Sequence, residues 1–312
     1  MELVLLFPGQ GSQKPGMGRD LADAFPAARE VFDEADAALG SSLSSLCFDG
    51  PAEELTRTHN AQPALLAHGA AVWATVRGAV GDSVRAAAGH SLGEFTAYHA
   101  AGALSLSAAA RLVRRRGELM FEAGSARPGT MAAIIGDMHP AIDEVCETAS
   151  AEAGLVVPAN YNAPGQVVIS GEPAGVERAG ALAKAAGAKR VLPLNVSGAF
   201  HSPLMAPAAD GLRDALRSAE IGAPRIPIHA NVDASPVTEA ARAEQLLVQQ
   251  LVSPVRWTSV IESLVACYPE AVFVEMGPGA VLTGLMKRIA PAARAMPCGT
   301  ASEVHAFLEL VH

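Results

Sequence analysis

Apolar residues enter this chain in two patterns. Short unbroken runs at 3–7 and 86–88 predict strands buried on both faces, as in a parallel sheet, and the largely apolar stretches 226–231 and 272–275 predict two more strands. Between them, apolar positions recur at three- and four-residue spacing. That periodicity predicts helices over about 27–39, 63–80, 107–123, 239–251, 259–267 and 280–289. Ser202 and Pro203 have the residue types of an N-cap and a first helical position, opening a further helix to about 218. The alternation of strands and helices predicts an α/β fold. From Gly129 the order changes to strand 131–135, helix 140–153, strands 155–159 and 166–170, helix 173–186 and strand 190–194. This β-α-β-β-α-β series is the ferredoxin-like pattern, so residues 127–195 are expected to form a small inserted subdomain between 1–126 and 196–312. Clefts between such units are favoured ligand sites.

Chemistry gathers where strands end. The run 86–88 leads into Gly89-His90-Ser91-Leu92-Gly93, which fits G-x-S-x-G, and a helical segment follows from Glu94. Strand, tight turn and helix are the context of a nucleophile elbow, in which Ser91 projects from the turn and the helix N-terminus offers free N–H groups to an oxyanion. The alternative is a glycine-lined turn whose serine only caps the helix. The strand 3–7 ends in Pro8-Gly9-Gln10-Gly11-Ser12-Gln13, a glycine-rich loop able to approach a ligand closely. It lacks the G-x-x-x-x-G-K-[ST] spacing of a phosphate loop. His201 precedes the helix opened by Ser202, where the positive helix end favours a neutral, proton-accepting imidazole. Within the helix 107–123, Leu112, Val113, Leu119 and Met120 form an apolar stripe that contains Arg116, while Arg111, Arg115, Glu118 and Glu122 repeat on the opposite, solvated face. Arg116 either snorkels or pairs internally, or it is a cation held for an incoming carboxylate.

Composition narrows the class. The chain has 312 residues, 50% hydrophobic and 18% charged, enough to bury a sizeable core. Its net charge of −9 argues against nucleic-acid binding. Cys47, Cys146, Cys267 and Cys298 are scattered with no C-x-x-C pair, which favours a reducing compartment over a disulfide framework or zinc site. The first residues are apolar without a basic flank and read as a strand, not a signal segment. No stretch reaches the roughly 18 uninterrupted apolar residues of a membrane span. A cytoplasmic location with no membrane association is the expectation.

Taken in order, FPGQGSQ at 7–13, AQPALL at 61–66, GHSLGE at 89–94, RRRGELM at 114–120, NAPGQVVISG at 162–171, GAFHSPLM at 198–205 and GPGAVLTGLMKR at 277–288 resemble the malonyl-CoA:acyl carrier protein transacylases of bacterial type II fatty-acid synthesis. The same family includes the acyltransferase domains of polyketide synthases. The resemblance spans essentially the whole length. It implies an α/β-hydrolase-like large subdomain with a parallel sheet, plus the ferredoxin-like small one. It implies Ser91 as nucleophile, His201 as its base, and the backbone N–H groups of Gln10 and Leu92 as the oxyanion hole. Arg116, Gln62, Met120 and Phe200 would contact substrate, Arg116 binding the malonyl carboxylate and Phe200 restricting branched acyl groups. The histidine would be oriented by a backbone carbonyl near Gln250, so no triad aspartate is required. The implied substrates and partners are malonyl-CoA and a holo-acyl carrier protein, with no metal or bound cofactor, and a monomer is expected. A stand-alone polyketide acyltransferase shares this chemistry. An acyl hydrolase should lack the arginine, and a non-catalytic carrier-binding module should lack Ser91 or His201.

Overall fold

The computed structural model describes residues 1–311. Its strands, in chain order, are β1 Leu3–Phe7, β2 Val84–Gly89, β3 Thr130–Ile135, β4 Val156–Ala163, β5 Gln166–Gly171, β6 Arg190–Pro193, β7 Ile228–His229, β8 Pro236–Val237, β9 Val272–Glu275 and β10 Arg294–Pro297. They form two sheets. The larger runs β10-β9-β1-β2-β7-β8, and its neighbours are parallel except for the β7–β8 pair. The smaller runs β4-β5-β3-β6 with every pair antiparallel, the strand order expected of a ferredoxin-like unit.

β1 sits at the centre of the larger sheet, and its side chains explain the unbroken apolar run. Leu3, Leu5 and Phe7 enter the core on one face, while Val4 and Leu6 enter a second core against Trp257, Ile261 and Phe273 on the other. Period-two alternation with both faces covered demands an apolar residue at every position. Each such side chain contributes about 1.5–3 kcal/mol relative to exposure. A third core, built on Ala132, Ile134, Val156 and Ile169, lies between the smaller sheet and the helices Ile142–Ala153 and Pro173–Ala185.

The two sheets are joined close to the catalytic loops. Asn160 of β4 forms a parallel bridge with Val255, and Tyr161 N–H donates to Val255 O at 2.9 Å. Arg288, on the helix Val281–Ile289, donates to the Gln166 side chain at 2.6 Å and to Pro164 O at 2.5 Å, across the β4–β5 turn.

Several elements differ from the periodicity. The helix expected from 63 spans Thr58–Val80 and contains Pro63 in its interior. Arg57 O accepts from both Asn60 and Ala61 N–H groups at 2.8 Å, closing a turn ahead of the proline. Gln62 therefore sits on a helix facing the core. The strand expected at 226–231 shortens to β7, which leaves Asn231 outside the sheet. Short helices at Arg19–Ala24, Leu43–Asp49 and Ala52–Thr56 and the edge strand β10 were not expected, nor was the helix Ala301–Val311, although Val304, Phe307, Leu308 and Val311 fall at helical spacing and pack on the core.

Candidate active site

β2 ends at Gly89 and the helix Leu92–Ala100 begins three residues later, so His90 and Ser91 make the whole turn. A Cβ on Gly89 would lie 1.8 Å from the Gly93 carbonyl carbon, and one on Gly93 would lie 2.0 Å from Phe7 O. Strand and helix can approach this closely only because both positions are glycine. The turn drives Ser91 to φ 50° and ψ −106°, a strained conformation for a residue with a Cβ. Asn231 holds it there: its Oδ1 accepts from Ser91 N–H at 2.7 Å and its Nδ2 donates to Gly89 O at 2.7 Å.

Ser91 Oγ lies 2.7 Å from His201 Nε2, and His201 Nδ1 lies 2.9 Å from Gln250 O. A carbonyl can only accept, so the imidazole proton is on Nδ1 and Nε2 is left to take the serine proton. His201 has φ 56°, so both members of the pair belong to the four non-glycine residues with positive φ among those described. Burial first, and then the Arg116 cation, push the imidazole down to about 3. The free site therefore holds a neutral histidine.

Arg116 is 1% exposed and is one of the largest fully buried side chains. Its guanidinium donates to Gln62 Oε1 at 2.8 Å, to Gln250 Oε1 at 2.9 Å and to Ser91 Oγ at 3.2 Å, and it stacks on Phe95 at 5.2 Å. Of the two readings open from sequence, snorkelling is excluded. No carboxylate among the described residues bonds the cation directly, and burial lowers its pKa to about 10. Three of the five N–H bonds of its planar fork are used, while the second hydrogen on Nη1 and the buried Nε–H have no protein partner among the described residues. The Nη1 hydrogen, with the long 3.2 Å bond to Ser91 that an anion can take over, is the fork left for a carboxylate.

The surrounding cavity, of about 330 Å³, is lined by Gln10, Ser91, Leu92, Arg116, Met120 and Phe200 from the larger unit, and by Met131, Asn160 and Leu194 from the smaller. Gln62 does not reach the cavity wall. It is fully buried and bonds Arg116 on one side and Met120 Sδ, at 3.3 Å, on the other. Neither the Gln10 nor the Leu92 backbone N–H donates to another protein group among the described residues, so both are available to a ligand.

Three residues of the site carried no assignment from sequence. Asn231 ends an expected strand and gave no sign of reaching the elbow. Asn162, within the quoted NAPGQVVISG segment, has its Oδ1 2.8 Å from His90 Nε2 and ties the elbow to the smaller sheet. Glu94, inside GHSLGE, is fully buried, with Oε2 accepting from Gln250 Nε2 at 2.6 Å and from Asn231 N–H at 3.2 Å.

A serine paired with a neutral histidine on a strand-to-helix elbow, beside unspent backbone N–H groups, is the machinery of a serine acyl-transfer enzyme. The model of the acyl transferase domain matches residues 4–302. The malonyl CoA-acyl carrier protein transacylase of Bacillus subtilis is 50% identical over 290 residues, covering 92% of this chain and 90% of that protein. The enzyme of the same name from Escherichia coli K12 is 46% identical over 309 residues, covering 99% of both. A solved malonyl-transacylase in complex with a type II polyketide synthase acyl-carrier protein superposes with a TM-score of 0.94, at 44% identity, over 99% of this chain and 100% of that one. The chain belongs to the acyl transferase family, among its malonyl CoA-acyl carrier protein transacylases. No helix among the described residues is long and apolar enough to cross a membrane, and no group of three His, Cys, Asp or Glu side chains there could hold a metal ion.

Proposed function

We propose that this chain moves a malonyl group from malonyl-CoA to the phosphopantetheine thiol of a holo-acyl carrier protein, through an ester on Ser91, in the cytoplasm. The observation that carries the reading is the convergence of His201 Nε2, at 2.7 Å, and the buried Arg116 guanidinium, at 3.2 Å, on one oxygen, Ser91 Oγ. A nucleophile with a base is common to many hydrolases and transferases. A desolvated cation beside it suits an acyl group that brings its own carboxylate.

In the first half-reaction Ser91 Oγ attacks the thioester carbonyl while its proton passes to His201 Nε2. The oxyanion is met by the N–H groups of Gln10 and Leu92. Collapse of the tetrahedral adduct breaks the carbon–sulfur bond, and the CoA sulfur takes the proton back from His201. In the second half the carrier thiol gives its proton to His201, its sulfur attacks the malonyl ester, and Ser91 Oγ leaves with that proton. Each half exchanges a thioester for an ester or the reverse, so no oxidant, reductant or metal enters the balance. Bidentate pairing with Arg116 places the malonyl carbonyl over Ser91. It also neutralises the cation that, after burial, is the main influence depressing His201, so the carboxylate strengthens the base that its own transfer needs. Phe200 and Met120 close the apolar side of the cavity, where a branched acyl group would need room.

The test is intact-mass analysis after malonyl-CoA, acetyl-CoA and methylmalonyl-CoA are supplied separately, followed by a holo-acyl carrier protein. A malonyl adduct that maps to Ser91 and is discharged by the carrier is expected. Rapid loss of the adduct to water with no carrier loading would make the chain a hydrolase.

A further inference from the structure

Behind the nucleophile, three buried side chains form a directional chain. Glu94 Oε2 accepts from Gln250 Nε2 at 2.6 Å, and Gln250 Oε1 accepts from Arg116 at 2.9 Å. Gln250 Nε2 also donates to Ser91 O at 3.1 Å, and its backbone carbonyl holds His201. All three side chains are at most 1% exposed. An amide has two faces of opposite character. Flipped, the Gln250 amide would turn its NH2 toward the guanidinium and its oxygen toward the carboxyl group, leaving buried groups unpaired at both ends. Glu94 Oε2, at 2.6 Å, is the shorter of the two acceptors that fix the sense, and Ser91 O, at 3.1 Å, is the other. Among the described residues no other side chain bonds the Gln250 NH2 group.

We infer that Glu94 is a positioning residue for the carboxylate clamp: by fixing the Gln250 amide it presents an acceptor to Arg116, so that the guanidinium is held with its Nη2 group against Ser91 at the acyl site, and the preference for a carboxylated acyl group depends on a residue that touches no substrate atom. This inference rests on the reading of Arg116 as the malonyl-binding cation. Glu94 also receives Asn231 N–H, and Asn231 holds Ser91, so loss of Glu94 slows both acyl groups somewhat. What separates positioning of the clamp from general support of the elbow is the ratio between the two acyl groups.

The experiment measures kcat/KM for malonyl-CoA and acetyl-CoA on wild type, Glu94→Gln, Glu94→Leu, Arg116→Ala and the Glu94→Leu/Arg116→Ala double variant. Each is normalised to Ser91 titrated with a small serine-directed sulfonyl fluoride. Glu94→Gln keeps an acceptor for Gln250 and should hold the malonyl-to-acetyl ratio within about threefold. Glu94→Leu removes the side-chain acceptor, leaving one amide hydrogen unpaired beside the longer bond to Ser91 O, and should lower the ratio roughly 5- to 100-fold. In the Arg116→Ala background the same change should leave the ratio where Arg116→Ala alone put it. The exchange Glu94→Gln/Gln250→Glu conserves volume and places a carboxylate directly on Arg116, so it should abolish the preference even if Glu94→Leu does not fold. An unchanged ratio in folded Glu94→Leu, a further fall in the Arg116→Ala background, or a wild-type ratio in the exchange variant would each overturn the inference. A wild type with no preference for malonyl-CoA would overturn the Arg116 reading itself.

Discussion

Replacing Arg116 by alanine removes the one cation at the acyl site, and the structure sets the size of the effect. The guanidinium is 1% exposed, its bonded neighbours are neutral oxygens, and the nearest carboxyl group, Glu94, reaches it only through Gln250. A malonyl carboxylate therefore enters a desolvated site where its pair is worth far more than at a surface. Truncating one partner of such a buried, hydrogen-bonded charge pair costs about 2–5 kcal/mol. At about 1.4 kcal/mol per decade, malonyl transfer should fall roughly 30- to several-thousand-fold. Acetyl transfer should move the other way or hardly at all. Acetyl-CoA leaves the cation unpaired in wild type, and removing Arg116 lifts one of the influences that depress His201. Arg116→Lys should recover only part of the malonyl rate, because an ammonium cannot reach Gln62, Gln250 and a carboxylate with one planar fork. The assay is kcat/KM for both CoA thioesters, read as CoA release in the presence of carrier. A malonyl-to-acetyl ratio that stays put in Arg116→Ala would refute the reasoning, and Phe200 would become the next residue to examine for selectivity.

Ser91→Ala should abolish the mass adduct, and an adduct on any other residue would remove Ser91 from the mechanism. His201→Ala should slow acylation by roughly 100- to 10,000-fold with CoA binding largely kept, whereas a rate within about threefold of wild type would make His201 structural. Burial raises Glu94 to about 7, above the ordinary carboxyl value, so the folded protein binds more protons than the unfolded chain and loses stability as pH rises through that value. Glu94→Gln should therefore gain melting temperature relative to wild type between pH 5 and 8, and a constant difference across that range would contradict this sign. Lys184, Lys189, Arg190, Lys287 and Arg288 are exposed cations on a chain of net charge −9, suited to meet an acidic carrier. Charge reversal at Lys189 and Lys287 should slow transfer to the carrier and spare self-acylation, and equal damage to both would exclude docking there. Arg288 is a poorer probe, because it already bonds Gln166 and Pro164.

The parts of this architecture written in period and punctuation were legible in the sequence. The run 3–7 had to be a central strand because every one of its residues is apolar, and the two glycines flanking His90-Ser91-Leu92 announced an elbow. The break at Gly129 marked the second sheet. Arg116 stood out because a charge interrupting an apolar stripe needs a reason. What stayed hidden depends on long-range closure. Gln62 lay one turn further into its helix than Pro63 suggested, so its bond to Arg116 had no local sign. Asn231 is 140 residues from Ser91, and Gln250 is 134 from Arg116, distances over which no spacing rule operates. The family resemblance supplied the Gln250 backbone carbonyl but not its side chain, and Glu94 passed as the last letter of a motif. Buried polar side chains of this kind are placed by each other, and only three dimensions show the pairing.

The positive φ of Ser91 bears on how this chain can change over generations. Conformations of that kind cost about 1–3 kcal/mol for a residue with a Cβ and almost nothing for glycine. A glycine at position 91 would thus relax the turn while removing the nucleophile, and the folded protein should be more stable for having lost its chemistry. Selection for persistence alone pulls this position toward glycine, against selection for turnover. A copy of the chain released from its metabolic duty can drift downhill into an inert but sturdier protein, whereas the return path requires accepting the strain again before any activity is regained.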